Sequence, residues 1–359
     1  MVGHLLGGPT PGKQSTRAGY FHPVTPSEAL DRIAFLLERR REATYKVQAF
    51  RRAAEEVRGR PEEELRALAD AGRLRDLPNV GDSTARVIEE ALGGGTPAYL
   101  ERLEVDEDGA LAAGGPLRAA LRGDLHTHSD WSDGGAPIET MMRAAIELGH
   151  DYVALTDHSP RLKIANGLTP ERLREQLAVV AALNEDLAPF RILKGIEVDI
   201  LEDGKLDQED DLLAELDVVV ASVHSKLRMD ARAMTDRMVA AVANPHVDIL
   251  GHCTGRLVLG RGRPESEFDA ELVFTACREF DTAVEINSRP ERLDPPRRLL
   301  GLAVETGVLF SIDSDAHAPG QLSWQPYGCE RAVACKVPED RIVNTWDADT
   351  LLAWTASHA

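Results

Sequence analysis

The sequence predicts an α/β protein, a closed β/α barrel of seven strands preceded by a small all-α domain. Three observations predict it. Seven short apolar runs rich in β-branched residues recur between residues 121 and 312 with helical patterns between them, which is how buried parallel strands read. Nine side chains of metal-ligand type stand just past these runs, one or two at a time. The region before residue 100 carries helical periodicity instead.

Residues 1–24 mix Gly, Pro, Ser and Thr without a period and are expected to be a disordered amino terminus. GGPTPGK at 7–13 has the spacing of a phosphate-binding loop. Gln14 stands where Ser or Thr is needed, two prolines occupy the loop and no strand precedes it, so that reading is rejected. A first helix follows in PSEALDRIAFLLERRR, with Ser27 as its cap and Leu30, Ile33, Ala34, Leu36 and Leu37 on one face. KVQAFRRAAEEV gives a second, and EEELRALADAG a third that Gly72 stops. In LRDLPNVGDSTARVIEEAL a tight turn through Asn79 and Gly81 leads into a fourth helix. Successive N–H groups and a helix N-terminus aimed at one point suit a phosphate, so Asn79 and Gly81 are the candidate nucleic-acid contacts. These helices make a domain over 25–103, residues 104–122 read as a linker rich in Gly, Ala and acids, and the barrel occupies 123–359.

The barrel runs are 121–125, 152–156, 191–194, 218–223, 247–250, 283–286 and 308–312. Around their ends come His126, His128 and Asp133 (DLHTHSDWSD), His158 (TDHS), Glu197 (GIEVD), His224 (SVHS), His252 (GHC), and Asp315 with His317 (DSDAH). In a β/α barrel the loops at the carboxyl ends of the strands converge, so residues spread over the sequence describe one site. Any one of these histidines has an ordinary packing role as its first explanation. Nine ligand types at successive strand ends do not share that explanation.

Imidazole and carboxylate without thiolate suit Zn, Mn or Fe rather than Mg or Ca. Nine ligands exceed one coordination sphere and suit three divalent transition-metal ions. Cations held together lower the pKa of bound water and polarise a phosphoryl group, so no serine or cysteine nucleophile is required. Asp315, Glu197 and His128 are the expected catalytic core. Phosphate oxygens need fixed cations as well, and among Lys226, Arg228, Arg256, Arg289 and Arg292 near the strand ends, Lys226 and Arg289 are the preferred substrate contacts. Trp131 and Trp324 are candidates for base stacking or for packing.

Composition narrows the classes. The net charge of −19 is uneven: residues 101–359 hold 26 Lys and Arg against 46 Asp and Glu, a balance of −20, while residues 1–100 are near neutral. Such a barrel repels nucleic acid at long range. No apolar run is long enough to span a bilayer and the start lacks the pattern of a signal peptide, so a soluble, cytoplasmic protein without a membrane partner is expected. Cys253, Cys277, Cys329 and Cys335 show no C-x-x-C pairing and fit reduced thiols. Oligomeric state is not legible.

The whole barrel, through DLHTHSDWSDG, LKIANGL, RILKGIEVDILEDGKLD, ASVHSKL, GHCTGRL, EINSRPERLD and SIDSDAHAPGQL, resembles the PHP (polymerase and histidinol phosphatase) domain, most closely the one at the carboxyl end of bacterial family X DNA polymerases. QAFRRAAEEVRGRP and LRDLPNVGDSTARVIEEAL resemble the helix-hairpin-helix domain of family X DNA polymerases, the group of DNA polymerase beta, with no polymerase core between the two. The resemblance implies a distorted seven-stranded barrel and a trinuclear site. His126, His128, Glu197 and Asp315 would hold one ion, Glu197, His224 and His252 a second, and Asp133, His158 and His317 a third. It implies a metal-dependent phosphoesterase, with DNA 3′-5′ exonuclease or 3′-end processing in repair as the leading activity and DNA and phosphate esters as partners. A small-molecule phosphatase of the histidinol-phosphatase type and a non-catalytic DNA-binding accessory are the alternatives. Val87 replaces the Schiff-base lysine of the lyase-active relatives, so that chemistry is not expected.

Overall fold

The computed structural model describes residues 24–105 and 114–358. The disordered-terminus and phosphate-loop readings lie outside the described residues, as does 106–113 of the expected linker. Fourteen described α-helices and seven strands are found. The first five helices are α1 (Pro26–Arg39), α2 (Thr44–Val57), α3 (Glu62–Asp70), α4 (Asp82–Leu92) and α5 (Ala98–Val105). Then come α6 (Gly115–Ala120), β1 (Gly123–Thr127), α7 (Ile138–Glu147), β2 (Tyr152–Leu155), α8 (Pro170–Asp186), β3 (Arg191–Asp199), α9 (Asp210–Leu213) and β4 (Val218–Ser222). The chain continues through α10 (Ala231–Val242), β5 (Ile249–Leu250), α11 (Ala270–Glu279), β6 (Ala283–Asn287), α12 (Arg297–Thr306), β7 (Phe310–Asp313), α13 (Gln325–Ala334) and α14 (Ala348–Thr355). Two compact units result, one of residues up to Asp31 plus Ala49–Glu101, the other of Arg32–Gln48 plus Arg102 onward.

In the smaller unit the turn before α4 has Asn79 in the left-handed region, φ +61°, a conformation that asparagine tolerates. The Gly81 N–H is taken by Thr84 Oγ1 (2.9 Å), which caps α4, whose buried face is Thr84, Ala85, Val87, Ile88, Ala91 and Leu92.

In the larger unit all seven strands are parallel and follow chain order from β1 to β7. The helices between them start on side-chain caps where the sequence supplies Thr or Asp. Thr169 accepts from Arg172 N, Asp230 from Arg232 N and Asp269 from Leu272 N. Each strand turns one face outward to these helices, as with Ile196 and Val198 of β3 and Val219 and Ala221 of β4, which join Phe274, Met238 and Leu300 in the outer core. The inward positions change character along the axis. At the amino end Tyr152, Ala154, Leu193, Val218, Val220, Ile249 and Ala283 form an apolar inner layer with Val343, Leu351 and Trp354. Further along, the inward positions of β3 and β6 are Glu197 and Glu285, both buried.

Two irregularities shape this interior. The β1–β2 register shifts between Asp124 and Thr127, a bulge-like step. It lets Leu125 join the apolar layer while its neighbour His126 also faces inward. The second lies between β1 and β7. Instead of a regular ladder, Ile342 bridges Phe310, the Arg122 N–H donates to Asn344 O (2.7 Å), and the Asn344 side chain donates to Asp313 Oδ1 (2.9 Å) and accepts from Ile312 N (2.7 Å). The Gln325 amide donates to Gly123 O and Ile312 O, both at 2.9 Å. Side chains thus close the ring.

Candidate metal centre

Six histidines and three carboxylates from β1 to β7 meet at the carboxyl end of the barrel. Glu197, 1 % exposed, is the hub: one oxygen lies 2.8 Å from His252 Nε2 and 3.1 Å from His224 Nε2, the other 2.8 Å from His158 Nδ1, 3.3 Å from His126 Nε2 and 3.6 Å from His128 Nε2. The bulge in β1 and the length of β3, which runs to Asp199 rather than ending at Lys194, place His126 and Glu197 inside strands rather than after them. Asp315 has φ +53° in the turn after β7, with Oδ1 3.6 Å from His128 Nε2 and 3.5 Å from His317 Nδ1. Asp133 lies 3.4 Å from both His158 Nε2 and His317 Nε2, and at 37 % side-chain exposure it marks the open side.

Three overlapping clusters could each hold an ion: His128, Asp133, His158 and His317; His126, His128 and Glu197; and His158, Glu197 and His224. The structure therefore brings all nine side chains together, and adds His128 to the cluster of Asp133, His158 and His317.

The fit to metal is testable on the polar atoms themselves. Both ring nitrogens of His128 and of His224, Nε2 of His126, Nδ1 of His158 and of His252, and Oε2 of Glu197 are buried without a hydrogen-bond partner of acceptable geometry. Burying one such atom costs about 1–3 kcal/mol, so a nest of them in one place is not stable for its own sake. The charges agree. Burial works to raise the Glu197 carboxyl, but the imidazoles of His224, His126 and His158 outweigh it and hold it well below the usual carboxylate range. Burial is likewise outweighed at Asp315, which Arg289 and Arg292 hold well down. Burial, reinforced by His317 and His158, keeps His128 neutral with its lone pair available. The donor set of nitrogen and oxygen matches Zn, Mn or Fe. Cys253, next to His252, is no part of it: its Sγ lies 3.9 Å from Asp294 Oδ1, and burial pushes the thiol well up.

The sequence reading passed over Glu285. This buried carboxylate in β6 accepts from His126 Nδ1 (2.7 Å) and from the His252 N–H (2.5 Å), so it fixes which His126 nitrogen faces Glu197. Its signal was an acid at an inward position of the apolar run AVEIN. Arg292 is also claimed by the interior: its Nε donates to Asp315 Oδ2 (2.9 Å), and Asn287 Nδ2 supports the same oxygen at 3.2 Å. Of the two chosen substrate contacts, Arg289 reaches the site, with Nη1 3.0 Å from His317 Nδ1 and 3.3 Å from Asp315 Oδ1, while Lys226 is exposed in the loop after β4. Trp324 is buried at 1 % exposure and packs; Trp131 is partly buried.

Comparison with known proteins follows the same lines. Residues 124–289 match the PHP domain and residues 25–97 a helix-hairpin-helix domain. The chain is 30 % identical over 234 residues to a probable phosphatase of Thermoanaerobacter sp. strain X514, covering 62 % of this chain and 89 % of that protein. This chain belongs to the PHP-domain family. It is also 48 % identical over 197 residues to the DNA polymerase/3′-5′ exonuclease PolX of Bacillus subtilis, covering 55 % of this chain but only 34 % of PolX, so it spans about a third of that relative. A solved histidinol phosphate phosphatase of Lactococcus lactis, complexed with Zn, L-histidinol and phosphate, aligns at 17 % identity with a TM-score of 0.43, over 60 % of this chain and 92 % of that one. Membership of the PHP-domain family and this cluster support a metal-dependent hydrolase. Among the described residues no helix is long and apolar enough to cross a membrane.

Proposed function

We propose that the protein is a nucleic-acid phosphodiesterase that removes residues from or trims DNA 3′ ends, and that its helix-hairpin-helix segment contributes to DNA engagement. The observation that carries the reading is the pairing on one chain of the Glu197-centred cluster with a helix-hairpin-helix match. His126, His128, Asp133, His158, Glu197, His224, His252, Asp315 and His317 would hold up to three divalent transition-metal ions, of which Mn, Zn and Fe suit the donors. When bound, such ions supply an activated water and charge neutralisation for phosphoryl transfer.

The chain's own residues do the rest. Glu285 holds the His126 ring in one tautomer, and Arg292 with Asn287 holds the Asp315 carboxylate in one orientation. Arg289, 24 % exposed at the rim of the cluster, is placed to donate to a phosphoryl oxygen and to stabilise charge gathering there. Asn79 and Gly81 are the proposed DNA contacts of the hairpin, with a qualification from geometry. Because Thr84 occupies the Gly81 N–H, a phosphate would meet the amides of Asp82 and Ser83, beside an Asp82 carboxylate already paired with Arg75 (2.8 Å). The hairpin is therefore a weak anion site by itself.

The test compares a labelled single-stranded oligonucleotide with p-nitrophenyl phosphate and histidinol phosphate, in Mn. Shortening of the oligonucleotide from its 3′ end supports the proposal. Turnover of the monoesters with an intact oligonucleotide would favour the second reading, a small-molecule phosphatase, which the acidic barrel and the similarity to probable phosphatases support.

A further inference from the structure

Exposed cations of the larger unit are unevenly placed. At the amino end of the barrel Arg122, Arg191 and Lys194 are paired with carboxylates, as Arg122–Asp151 (2.7 Å), Arg191–Asp349 (2.7 Å) and Lys194–Asp217 (3.6 Å), and of the exposed cations there Lys336, after α13, stands apart from this pairing. At the carboxyl end the loops after β4 and β5 carry Lys226, Arg228 and Arg261, all exposed and, among the described residues, without a carboxylate partner. These loops and the one after β6 form a single surface. Leu227 packs so closely on Gly255 that a side chain at 255 would strike it, the Val258 N–H donates to Glu291 O (2.6 Å), and Arg256 Nε donates to Arg292 O (3.0 Å). Leu257 and Arg263 pair to make a hairpin of 257–263, whose tip exposes Val258 (45 %) and Leu259 (41 %) beside Arg261. Of the acids here, Glu265 is engaged by Arg256 (3.4 Å) and Arg298, and Glu291 by Arg41 (2.7 Å) and Arg289 (3.7 Å), while Glu267 is exposed without a cation partner among the described residues. At its inner edge the surface ends on Arg289, which touches Asp315 and His317.

Within residues 101–359, whose balance is −20, a shelf of unpaired cations interleaved with exposed aliphatic side chains and ending at the cluster calls for a polyanion with apolar faces. We propose that this shelf is the docking surface for a single-stranded nucleic-acid segment adjoining the scissile phosphate. The inference rests on the reading of the barrel as a nucleic-acid phosphodiesterase, and it assigns the polymer grip to the barrel itself. Lys226, Arg228 and Arg261 meet successive phosphates, and Val258 and Leu259 meet base faces. The strand must be single because His126, His128 and Glu197 lie fully inside the barrel mouth. A chain end can descend to them, whereas a base-paired end would first have to open.

The test uses the full-length, Mn-loaded protein with two probes, a labelled dodecamer of thymidylate and the small diester thymidine 5′-monophosphate p-nitrophenyl ester. Arg228→Gln/Arg261→Gln is compared with Arg191→Gln/Lys336→Gln, which removes the same charge at the amino end. In the first variant KM for the dodecamer should rise roughly 25-fold at 0.1 M salt and the slope of log KM against log salt should fall by about 1.4, the share of two phosphate contacts on a single strand. Turnover of the small diester should stay unchanged, and the second variant should match wild type on both probes. Equal losses in the two variants, or none in either while wild type digests the dodecamer, would overturn the shelf and leave the phosphodiesterase reading standing. A blunt duplex digested as readily as the single strand, with the same dependence on Arg228 and Arg261, would overturn the single-strand assignment. If wild type hydrolyses only the small diester or monoesters, the phosphodiesterase reading fails and the shelf falls with it.

Discussion

Glu285 shows how one side chain outside the ligand set governs those within it. Its carboxylate fixes the His126 ring and the His252 backbone at once, and metal-binding imidazoles held in this way lose about 10- to 100-fold in affinity when the support is removed. Glu285→Gln is therefore expected to weaken Mn binding by that factor in a calorimetric titration. The metal-free protein should not be destabilised, because a buried amide is cheaper than a buried carboxylate. A loss of stability without a loss of affinity would make Glu285 a packing residue. For His128→Ala and Asp315→Ala the expectation differs: each deletes a ligand-type side chain, so turnover of both diester and oligonucleotide should disappear while oligonucleotide binding persists. Val87, buried in α4, cannot form an imine, and borohydride treatment in the presence of abasic-site DNA should trap no adduct.

Among the elements, β1 and β7 are joined with the least regular pairing. Asn344 serves Asp313, Ile312 and Gly123 together, so Asn344→Ala strands several buried groups and should lower unfolding free energy by about 3 kcal/mol in urea. Beyond α14, His358 Nδ1 lies 3.1 Å from Asp248 Oδ1, with its ring edge-on to Trp354. Burial disfavours the imidazolium, but Asp248 and Asp281 outweigh it and raise the His358 pKa. A raised imidazole pKa gives stability that is complete below the ordinary value of 6.5 and lost as pH climbs through the folded-state pKa. The melting-temperature gap between wild type and His358→Ala should accordingly be widest below pH 6.5 and narrow as pH rises above it. Much of the elemental plan was legible, because Val218–Val223 or Ala283–Ile286 can be little else than buried strand. Two things were not: the register step that turns both Leu125 and His126 inward, and the side-chain closure at Asn344. A hydrophobic pattern records which face is buried, but neither a local register shift nor contacts between residues some 200 positions apart.

At the scale of the whole molecule, all seven strands contribute to the site or its support, so metal content and global stability must be linked. Protein purified without chelator is expected to hold more than one transition-metal ion per chain by elemental analysis, and its melting temperature should fall on chelation. Saturation at 100 times the dissociation constant is worth about 2.7 kcal/mol for each ion that binds the folded state alone. One ion or fewer after Mn reconstitution would contradict the trinuclear grouping. The amino-terminal segment cannot simply be cut away to test its part, because Arg32–Gln48 belong to the larger unit, where Glu38 accepts from the Gly320 N–H (2.9 Å). Substitutions at the Asn79–Gly81 turn are the cleaner probe. The closure at Asn344 also has a consequence in time. Asn344 Nδ2 bonds Gly123 O across 221 positions, and a ribosome adding 5–20 residues per second needs about 10 to 45 s to make that stretch. Through that interval the nascent barrel presents β1 as an open edge, a template for any other extended chain nearby. Newly made protein, rather than mature protein, is where aggregation of this molecule should begin, and a pulse-chase of the Asn344→Ala variant should lengthen the window in which it is captured by chaperones.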